Sequence, residues 1–214
     1  MSRRPFRIVV LISGSGTNLQ AILDELHAPA DSGVECVLVV SSSADAPGLE
    51  RARAAGVSTQ VVAMADHPDR ESRDDALADA VAAAKPDLVV LAGFMSILTA
   101  NFLGRFPDRV INLHPSLLPA FPGVDAIGQA LTWGVRVTGV TVHFAEVEVD
   151  AGPPVLQEAV PVRYGDDEVS LTARIREVEH RLLPAAIRLF ADGAVRRDPG
   201  DRRQVGIGSE GGLR

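Results

Sequence analysis

The sequence predicts an α/β fold, with a mostly parallel, twisted sheet flanked by helices. Short runs rich in Val, Ile and Leu alternate with alanine-rich stretches at helical spacing, which is typical of parallel strands joined by crossover helices. The near-continuous apolar content of these runs indicates strands buried on both faces. With 214 residues, the chain is long enough for one large domain and short for two. We therefore expect a single Rossmann-like domain over residues 1–195, with a C-terminal antiparallel extension, followed by an extended or disordered tail over 196–214.

The first half of the chain alternates strands with helices. The β-branched runs predict five strands, at residues 7–12, 34–41, 58–62, 87–92 and 109–113. The stretches between them predict four helices, at residues 18–27, 46–55, 70–84 and 99–106. Gly56 follows the second helix as a stop signal, and Pro86 closes the third.

The second half of the chain has a different pattern. Residues 115–123 contain three prolines and a glycine, an irregular segment of the kind that carries function. Residues 137–144 alternate in polarity and predict a half-buried strand, with which residues 155–162 can pair as a hairpin. Apolar residues at helical spacing over 169–183 predict a last helix, which we expect Pro184 to kink or divide.

The composition favours a small-molecule site over a nucleic acid or a membrane. Lys and Arg number 21 and Asp and Glu 28, and the formal net charge of −7 provides no general attraction for a phosphate backbone. No apolar run exceeds five residues, whereas a bilayer span needs about 20. The first apolar segment ends at Ile12, too early for a secretory core, so we expect a cytoplasmic protein. The single cysteine, Cys36, lies in an apolar run and predicts a buried, unreactive thiol.

The loop at residues 13–18, Ser-Gly-Ser-Gly-Thr-Asn, is the first candidate site. Its glycines let a ligand approach backbone N–H groups, and the dipole of the following helix favours an anion. Leu19 occupies the third glycine position of a dinucleotide fingerprint, and no lysine follows, as a triphosphate loop requires. Either the loop binds a phosphate, or its glycines only form a tight turn, with Thr17 or Asn18 capping the helix.

Asn112 and His114 form the second candidate, at the end of the fifth predicted strand. Residues i and i+2 leave a strand on the same side, so the amide and the imidazole converge while Leu113 faces the core. An amide can stabilise a developing oxyanion, and a histidine can move a proton near neutral pH. Ligands of open α/β sheets bind outside the carboxyl ends of the strands, where this pair lies. The alternative is a polar strand end that enters the turn at Pro115.

An acidic loop over residues 146–150 is the third candidate. A carboxylate there can orient an imidazole and favour its charged form, or the loop is simply solvated. The other histidines have no metal-ligand spacing, and we expect surface or structural roles for His27, His67, His143 and His180. The sequence therefore implies no metal.

Three segments of the chain form a recognisable combination. They are residues 9–22, which include the glycine loop, residues 91–95 (Leu-Ala-Gly-Phe-Met) and residues 112–119 (Asn-Leu-His-Pro-Ser-Leu-Leu-Pro). Together they resemble the folate-dependent phosphoribosylglycinamide formyltransferases of purine biosynthesis. The last segment is shared with the wider formyltransferase superfamily, which includes methionyl-tRNA formyltransferase and formyltetrahydrofolate hydrolase. The glycine loop is the more specific part. The resemblance covers residues 6–193 in unbroken order.

The resemblance implies the substrates and the residues that hold them. The formyl donor is 10-formyltetrahydrofolate, a co-substrate, and the acceptor is the amine of glycinamide ribonucleotide. The residues matching the phosphate and ribose contacts of the ribonucleotide are Gly16, Thr17, Asn18, Glu179 and Arg176. Those matching the folate contacts are Arg70, Met95, Ser96, Ile97, Leu98, Asn112, Glu146, Val147, Glu148, Val149 and Asp150.

The family's catalytic trio matches Asn112, His114 and Asp150. The implied reaction is direct attack of the substrate amine on the formyl carbon, with Asn112 and protonated His114 stabilising the tetrahedral oxyanion. Asp150 keeps His114 charged and helps a water to pass the amine proton to the departing folate nitrogen. Small molecules are then the partners. We expect no nucleic acid, no membrane, no metal, and a monomer or a homodimer.

Four residues depart from the family pattern. Ser96 stands where an arginine often follows the methionine, and Asp125 where many members have histidine. Ala151 replaces a glycine after the aspartate, and Pro154 an aliphatic residue. These changes affect folate affinity and loop geometry more than the reaction itself. The change from glycine to Ala151 adds no backbone strain if this position needs no positive φ.

Three other functions share parts of this pattern. A formyltetrahydrofolate hydrolase keeps the catalytic trio but usually carries an N-terminal regulatory domain, for which the early first strand leaves no room. A tRNA formyltransferase needs an added basic domain, which the net charge of −7 disfavours. A non-catalytic nucleotide sensor keeps the phosphate loop and loses the chemistry, and only the four departures support it.

Overall fold

The computed structural model describes residues 4–208 as an α/β fold with a seven-stranded main sheet. Its strands are β1 (Phe6–Ile12), β2 (Val34–Ser41), β3 (Thr59–Val61), β4 (Leu88–Leu91), β5 (Val110–His114), β6 (Val137–Phe144) and β7 (Pro154–Pro161). The helices are α1 (Thr17–Ile22), α2 (Gly48–Ala54), α3 (Arg70–Ala83), α4 (Ala100–Arg105), α5 (Ala126–Trp133) and α6 (Glu168–Ala191). The strand order is β3-β2-β1-β4-β5-β6-β7. A mostly parallel sheet flanked by helices confirms the predicted fold class.

The chain divides into two compact units, one up to Ile111 and one from Asn112 onward. In the N-terminal unit, β1 pairs in parallel with β2 and β4, and β2 pairs in parallel with β3. Residues 8–12 of β1 are completely buried, as expected where crossover helices cover both faces of a sheet. The thiol of Cys36 in β2 is also buried, and this burial raises its pKa to about 12.

Every strand and helix predicted up to β5 is present, and every end lies within two residues of its prediction when the π-helical turn after α1 is counted with that helix. Helix α1 continues as a π-helical turn over Leu23–His27. Two side-chain caps fix helix starts: Asp69 accepts from the backbone N–H of Ser72 at the start of α3, and Thr99 caps α4. The single domain expected over residues 1–195 stays a prediction.

In the C-terminal unit, β6 and β7 form the predicted antiparallel hairpin. The prediction that β6 is only half buried is wrong, because every residue from Thr138 to Phe144 is buried. Helix α6 packs on this hairpin. The irregular segment after β5 gives further cover: Thr141 Oγ1 donates to the carbonyl oxygen of Ser116 at 2.7 Å and accepts from the N–H of Leu118 at 3.1 Å.

Helix α6 runs for 24 residues and includes Pro184, so this proline does not divide the helix. A capping box between Asp167 and Ser170 begins the helix. After it, β8 (Val195–Arg197) and β9 (Val205–Ile207) pair as an antiparallel hairpin, which the composition did not predict. Residues 209–214 of the expected tail lie outside the described residues. None of the helices within 4–208 is both long and apolar enough to cross a membrane.

The loop after β1 is packed tightly against the start of α2. Gly16 has a φ of 70°, and a Cβ at this position would lie 2.6 Å from the Cα of Gly48. The N–H of Gly48 donates to the carbonyl oxygen of Gly14 at 3.0 Å. Arg51, in α2, donates from Nε to the carbonyl oxygen of Ser15 at 2.9 Å. The contacts with α2 therefore hold the backbone conformation of this loop.

Gly16 is also the residue that precedes α1, and no side chain caps this helix. The alternative in which Thr17 or Asn18 caps α1 is therefore wrong. The left-handed backbone at Gly16 turns the chain directly into the helix, which leaves the hydroxyl and amide side chains of the two following residues out of the cap position.

Replacing Gly16 tests this close packing. Gly33 has the same φ of 70°, but a Cβ there would meet nothing within 4 Å, so Gly33→Ala is a matched control for backbone strain. We expect Gly33→Ala to lower the free energy of unfolding by about 1–2 kcal/mol. Gly16→Ala should lower it by about 1–3 kcal/mol more, because backbone atoms must move. Urea denaturation of both variants measures the difference, and equal losses contradict the close approach.

Candidate active site

Asn112, His114 and Asp150 lie together in the C-terminal unit. Nδ1 of His114 lies 3.3 Å from Oδ2 of Asp150, and Nδ2 of Asn112 donates to Oδ1 at 3.4 Å. The side chains of His114 and Asp150 are almost completely buried. Leu113, between the two residues of β5, is buried as well. The amide and the imidazole thus converge on one carboxylate, as the i, i+2 spacing predicts.

A fourth side chain of this cluster, His143, was expected to have only a surface or structural role. It is buried at the end of β6, with Nε2 3.2 Å from Nδ2 of Asn112 and 3.5 Å from Oδ1 of Asp150. Nδ1 lies 2.9 Å from the carbonyl oxygen of Phe144 and is the donor there. A neutral His143 accepts from Asn112 through Nε2, whereas a protonated His143 donates to Asp150. The alternation of polarity along β6 was the one feature of the sequence that pointed to this position of His143.

Asp150 is positioned by its backbone as well as by its side chain. Its φ of 55° is left-handed, and its Oδ2 accepts from the backbone N–H of Gly123 at 2.8 Å. Ala151, which replaces a glycine, is not at a positive φ, so this departure costs no backbone strain. The glycine that the loop does need is Gly152, where a Cβ would lie 1.8 Å from the carbonyl oxygen of Phe144.

The pKa of the Asp150 carboxyl lies below its ordinary value. Burial by itself raises this pKa, but the hydrogen bond from His143, the N–H of Gly123 and the charges of His114 and His143 together outweigh burial. The group is therefore an ionised carboxylate at neutral pH. It supplies the negative charge around which the imidazoles are arranged.

The second ring nitrogen of His114 also faces an acceptor. Nε2 lies 2.8 Å from the carbonyl oxygen of Phe121, whose own φ of 53° is left-handed. Because Nδ1 faces Asp150, only the imidazolium form of His114 donates to both acceptors. The backbone groups of Phe121 and Gly123 were missed in the sequence, since main-chain atoms leave no mark in it.

Asp125 and Pro154, two departures from the family pattern, both have structural positions. Asp125 precedes α5 with a φ of 60°, and its carboxylate accepts from the N–H of Gly128 at 3.1 Å. The extra carboxylate therefore caps a helix. Pro154 begins β7 opposite His143, where the register of the hairpin shifts. A strand end with a register shift tolerates a proline.

The N-terminal unit holds the other set of predicted residues. After β4, Met95 is 74% exposed and Ile97 is 51% exposed, with Ser96 between them and Leu98 buried after them. The backbone beneath these side chains is fixed, because the N–H of Met95 donates to Oγ of Ser13 at 2.8 Å. Exposed apolar side chains on a fixed backbone suit an apolar ring system.

A buried ion pair in α3 supports the same segment. Nε of Arg73 lies 2.7 Å from Oδ1 of Asp74, and both side chains are buried. Arg73 donates to the carbonyl oxygen of Ile97 at 3.3 Å and lies over the ring of Phe94. Asp74 accepts from the N–H of Thr99 at 2.6 Å. The main chain from 94 to 99 is therefore held from α3.

The remaining predicted residues lie on helix starts and helix surfaces. Arg70 is exposed at the first position of α3, Arg176 is exposed on α6, and Glu179 is half buried one turn later. Thr17 and Asn18 are half buried at the start of α1. Across the described range 4–208, no group of three or more His, Cys, Asp or Glu side chains is placed to hold a metal ion.

Residues 6–187 match the family model described as formyl transferase. The chain belongs to the formyl transferase family. Phosphoribosylglycinamide formyltransferase of Escherichia coli is 46% identical over 189 residues, covering 88% of this chain and 89% of that protein. The Mycobacterium tuberculosis enzyme of the same name is 46% identical over 191 residues, covering 89% and 87%. The resemblance found in the sequence is confirmed.

Solved structures and longer relatives of this formyl transferase agree. Glycinamide ribonucleotide transformylase 1 from Symbiobacterium toebii superposes with a TM-score of 0.89 at 48% identity, covering 96% of this chain and 95% of that one. The trifunctional purine biosynthetic protein adenosine-3 of Gallus gallus is 46% identical over 189 residues. These cover 88% of this chain, which spans only 19% of that protein.

The low pKa of Asp150 predicts a pH-dependent stability. Such a carboxylate stabilises the fold fully above its unfolded-state pKa of about 3.9. This contribution is lost as the pH falls through the folded-state value. Asp150→Asn should lower the free energy of unfolding at about pH 6, and its difference from the parent protein should shrink toward about pH 3. Urea titrations at the two pH values measure this, and a difference independent of pH contradicts it.

Proposed function

We propose that this formyl transferase moves the formyl group of 10-formyltetrahydrofolate to the amine of phosphoribosylglycinamide. The products are formylglycinamide ribonucleotide and tetrahydrofolate, in purine biosynthesis. The observation that carries the proposal is the buried cluster of Asn112, His114 and His143 around the ionised Asp150. Relatives named phosphoribosylglycinamide formyltransferase, 46% identical over most of both chains, support this substrate pair over a hydrolase or a sensor.

Formyl transfer needs a group that stabilises negative charge on the formyl oxygen. The amide of Asn112 is held by contacts of 3.2 and 3.4 Å, which are long for hydrogen bonds from nitrogen. It can exchange them for a shorter, charge-assisted bond to an oxyanion. In its imidazolium form, His114 donates to acceptors at both ring nitrogens and supplies a positive charge beside that amide. Together they lower the free energy of the tetrahedral intermediate.

The reaction also needs a route for the proton of the attacking amine. Asp150 balances the charge of His114 and has a second oxygen toward His143 and Asn112. We assign it the placement of a water that takes the amine proton and delivers it to the departing folate nitrogen. The carboxylate acts as a fixed charge rather than as the final proton acceptor, because its pKa is low.

The binding residues divide by unit. In the N-terminal unit we assign Gly16, Thr17 and Asn18 to the phosphate of the ribonucleotide, because glycine-rich turns present backbone N–H groups to anions. In the C-terminal unit we assign Arg176 and Glu179 to the region of its ribose. These assignments rest on the match to the family's motifs.

Folate contacts are proposed in both units as well. The exposed pair Met95 and Ile97 offers apolar surface, and Ser96 removes one polar contact that an arginine often makes. The loop over 146–150 offers two more exposed apolar side chains, of Val147 and Val149. The full proposed set is Arg70, Met95, Ser96, Ile97, Leu98, Asn112, Glu146, Val147, Glu148, Val149 and Asp150.

We further propose that the enzyme acts in the cytoplasm on these small molecules, without nucleic acid or membrane partners, as a monomer or a homodimer. The net charge of −7 supports small-molecule substrates, since it gives no general attraction for a phosphate backbone.

An assay of 10-formyltetrahydrofolate consumption, with and without the ribonucleotide, tests the proposed function. Consumption should require the ribonucleotide and fall by about 10²-fold or more in His114→Ala, because the charge beside the oxyanion is lost. His27→Gln is the matched control. It removes a histidine whose Nδ1 accepts from the N–H of Cys36 in the N-terminal unit, and turnover should be retained.

Two results contradict the proposed function. Consumption without the ribonucleotide, at the same rate as with it, identifies a hydrolase. Absence of turnover, with ribonucleotide binding retained in calorimetry, identifies a non-catalytic sensor.

A further inference from the structure

Arg197, in β8, lies outside residues 6–187 that match the family model and outside every candidate site predicted from the sequence. Its side chain is only 8% exposed. Nη2 donates to Oε1 of Glu146 at 2.6 Å and to the carbonyl oxygen of Arg202 at 2.8 Å. The guanidinium also lies 5.0 Å from the ring centroid of Phe144. Arginine is suited to this arrangement because its edges donate hydrogen bonds while its face stacks on an aromatic ring.

These contacts hold the point at which residues 145–151, here called the Asp150 loop, leave β6. Phe144 is the last residue of the strand, and its ring packs edge-on against Phe190 with centroids 5.6 Å apart. Its carbonyl oxygen accepts from Nδ1 of His143 and is the atom that a Cβ at Gly152 would strike. A displacement of Phe144 therefore reaches His143 directly.

The loop itself buries little. Val147 is 60% exposed and Val149 is 46% exposed, and the N–H of Ala151 donates to the carbonyl oxygen of Glu148 over a long 3.3 Å. The loop ends at Asp150, whose carboxylate is bound to Gly123. With so little apolar burial between its two ends, its geometry depends on how firmly each end is attached.

We propose that Arg197 is a positioning residue, which holds the Asp150 loop and His143 in the cluster geometry through Glu146 and Phe144. The hairpin of β8 and β9 then restricts the motion of this loop, and so stabilises the active site. The catalytic consequence rests on the proposed function, while the effect on the loop does not.

Three variants and one control test the proposal. Arg197→Met removes the charge and the hydrogen bonds, Arg197→Lys keeps the charge without the planar face, and Glu146→Gln weakens the partner. Arg174→Met is the matched control, because Arg174 also bonds a loop carboxylate, that of Asp166, at 2.8 and 2.9 Å and a backbone carbonyl in the same unit. For each variant, hydrogen exchange of the amides 145–151 is measured together with kcat and both KM values.

We expect Arg197→Met to exchange faster over 145–151 and to lower kcat by about 10- to 100-fold, because misplacement of a catalytic group by about 1 Å has an effect of this size. The KM for the ribonucleotide should not change. Arg197→Lys should fall between the parent and Arg197→Met. Glu146→Gln should also exchange faster over 145–151, but by less than Arg197→Met, because Arg197 keeps its contacts with Phe144 and with the carbonyl oxygen of Arg202. Arg174→Met should leave both readouts unchanged.

Unchanged exchange over 145–151 in Arg197→Met overturns the proposal. So does an equal effect of Arg174→Met, which indicates a general loss of stability. If Arg197→Met does not fold, parent-like exchange and kcat in Arg197→Lys overturn it equally. Failure of the parent protein to transfer formyl groups refutes the proposed function instead, and the exchange data then decide the positioning role alone.

Discussion

The candidate active site depends on one buried carboxylate. An unpaired charge is costly to bury, so Asp150 is stable in its position only because other groups compensate it. The backbone N–H of Gly123 and the side chains of Asn112, His114 and His143 surround it. These partners come from β5, from the irregular segment that follows β5, and from β6. The same charge that prepares the imidazoles for chemistry therefore fixes how three segments of the C-terminal unit meet.

The sequence was sufficient to predict strands β1 to β7, five of the six α-helices and the first pair of site residues, but it did not predict α5, β8 or β9. Buried parallel strands have a continuous apolar pattern, and the i, i+2 spacing of Asn112 and His114 fixes their common side by strand geometry alone. His143 could not be assigned in this way, because its contact with Asp150 depends on the register of β6 and on the path of a loop. The full burial of β6 was missed for a related reason, since the cover from residues 116–118 has no periodic pattern.

Left-handed backbone at non-glycine residues accounts for much of the site geometry that the sequence did not predict. Phe121 and Asp150 both adopt positive φ, a conformation that side chains other than glycine rarely take, and both are in the cluster. Phe does not indicate such a backbone, and Asp, although it adopts it more often than most residues, does not mark a particular position. Two of the four departures from the family pattern are explained by backbone conformation: Ala151 lies beside the left-handed residue rather than at it, and the carboxylate of Asp125 caps a helix. Neither change disturbs the cluster.

The dependence of kcat on pH, compared between the parent protein and a folded Asp150→Asn variant, tests the central role of this carboxylate most directly. With the negative charge removed, Nδ1 of His114 loses its carboxylate partner. Activity at neutral pH should fall by about 10²-fold or more, and the pH–rate profile should change shape. Circular dichroism establishes that the variant is folded. A pH–rate profile that keeps the shape and height of the parent's contradicts the account.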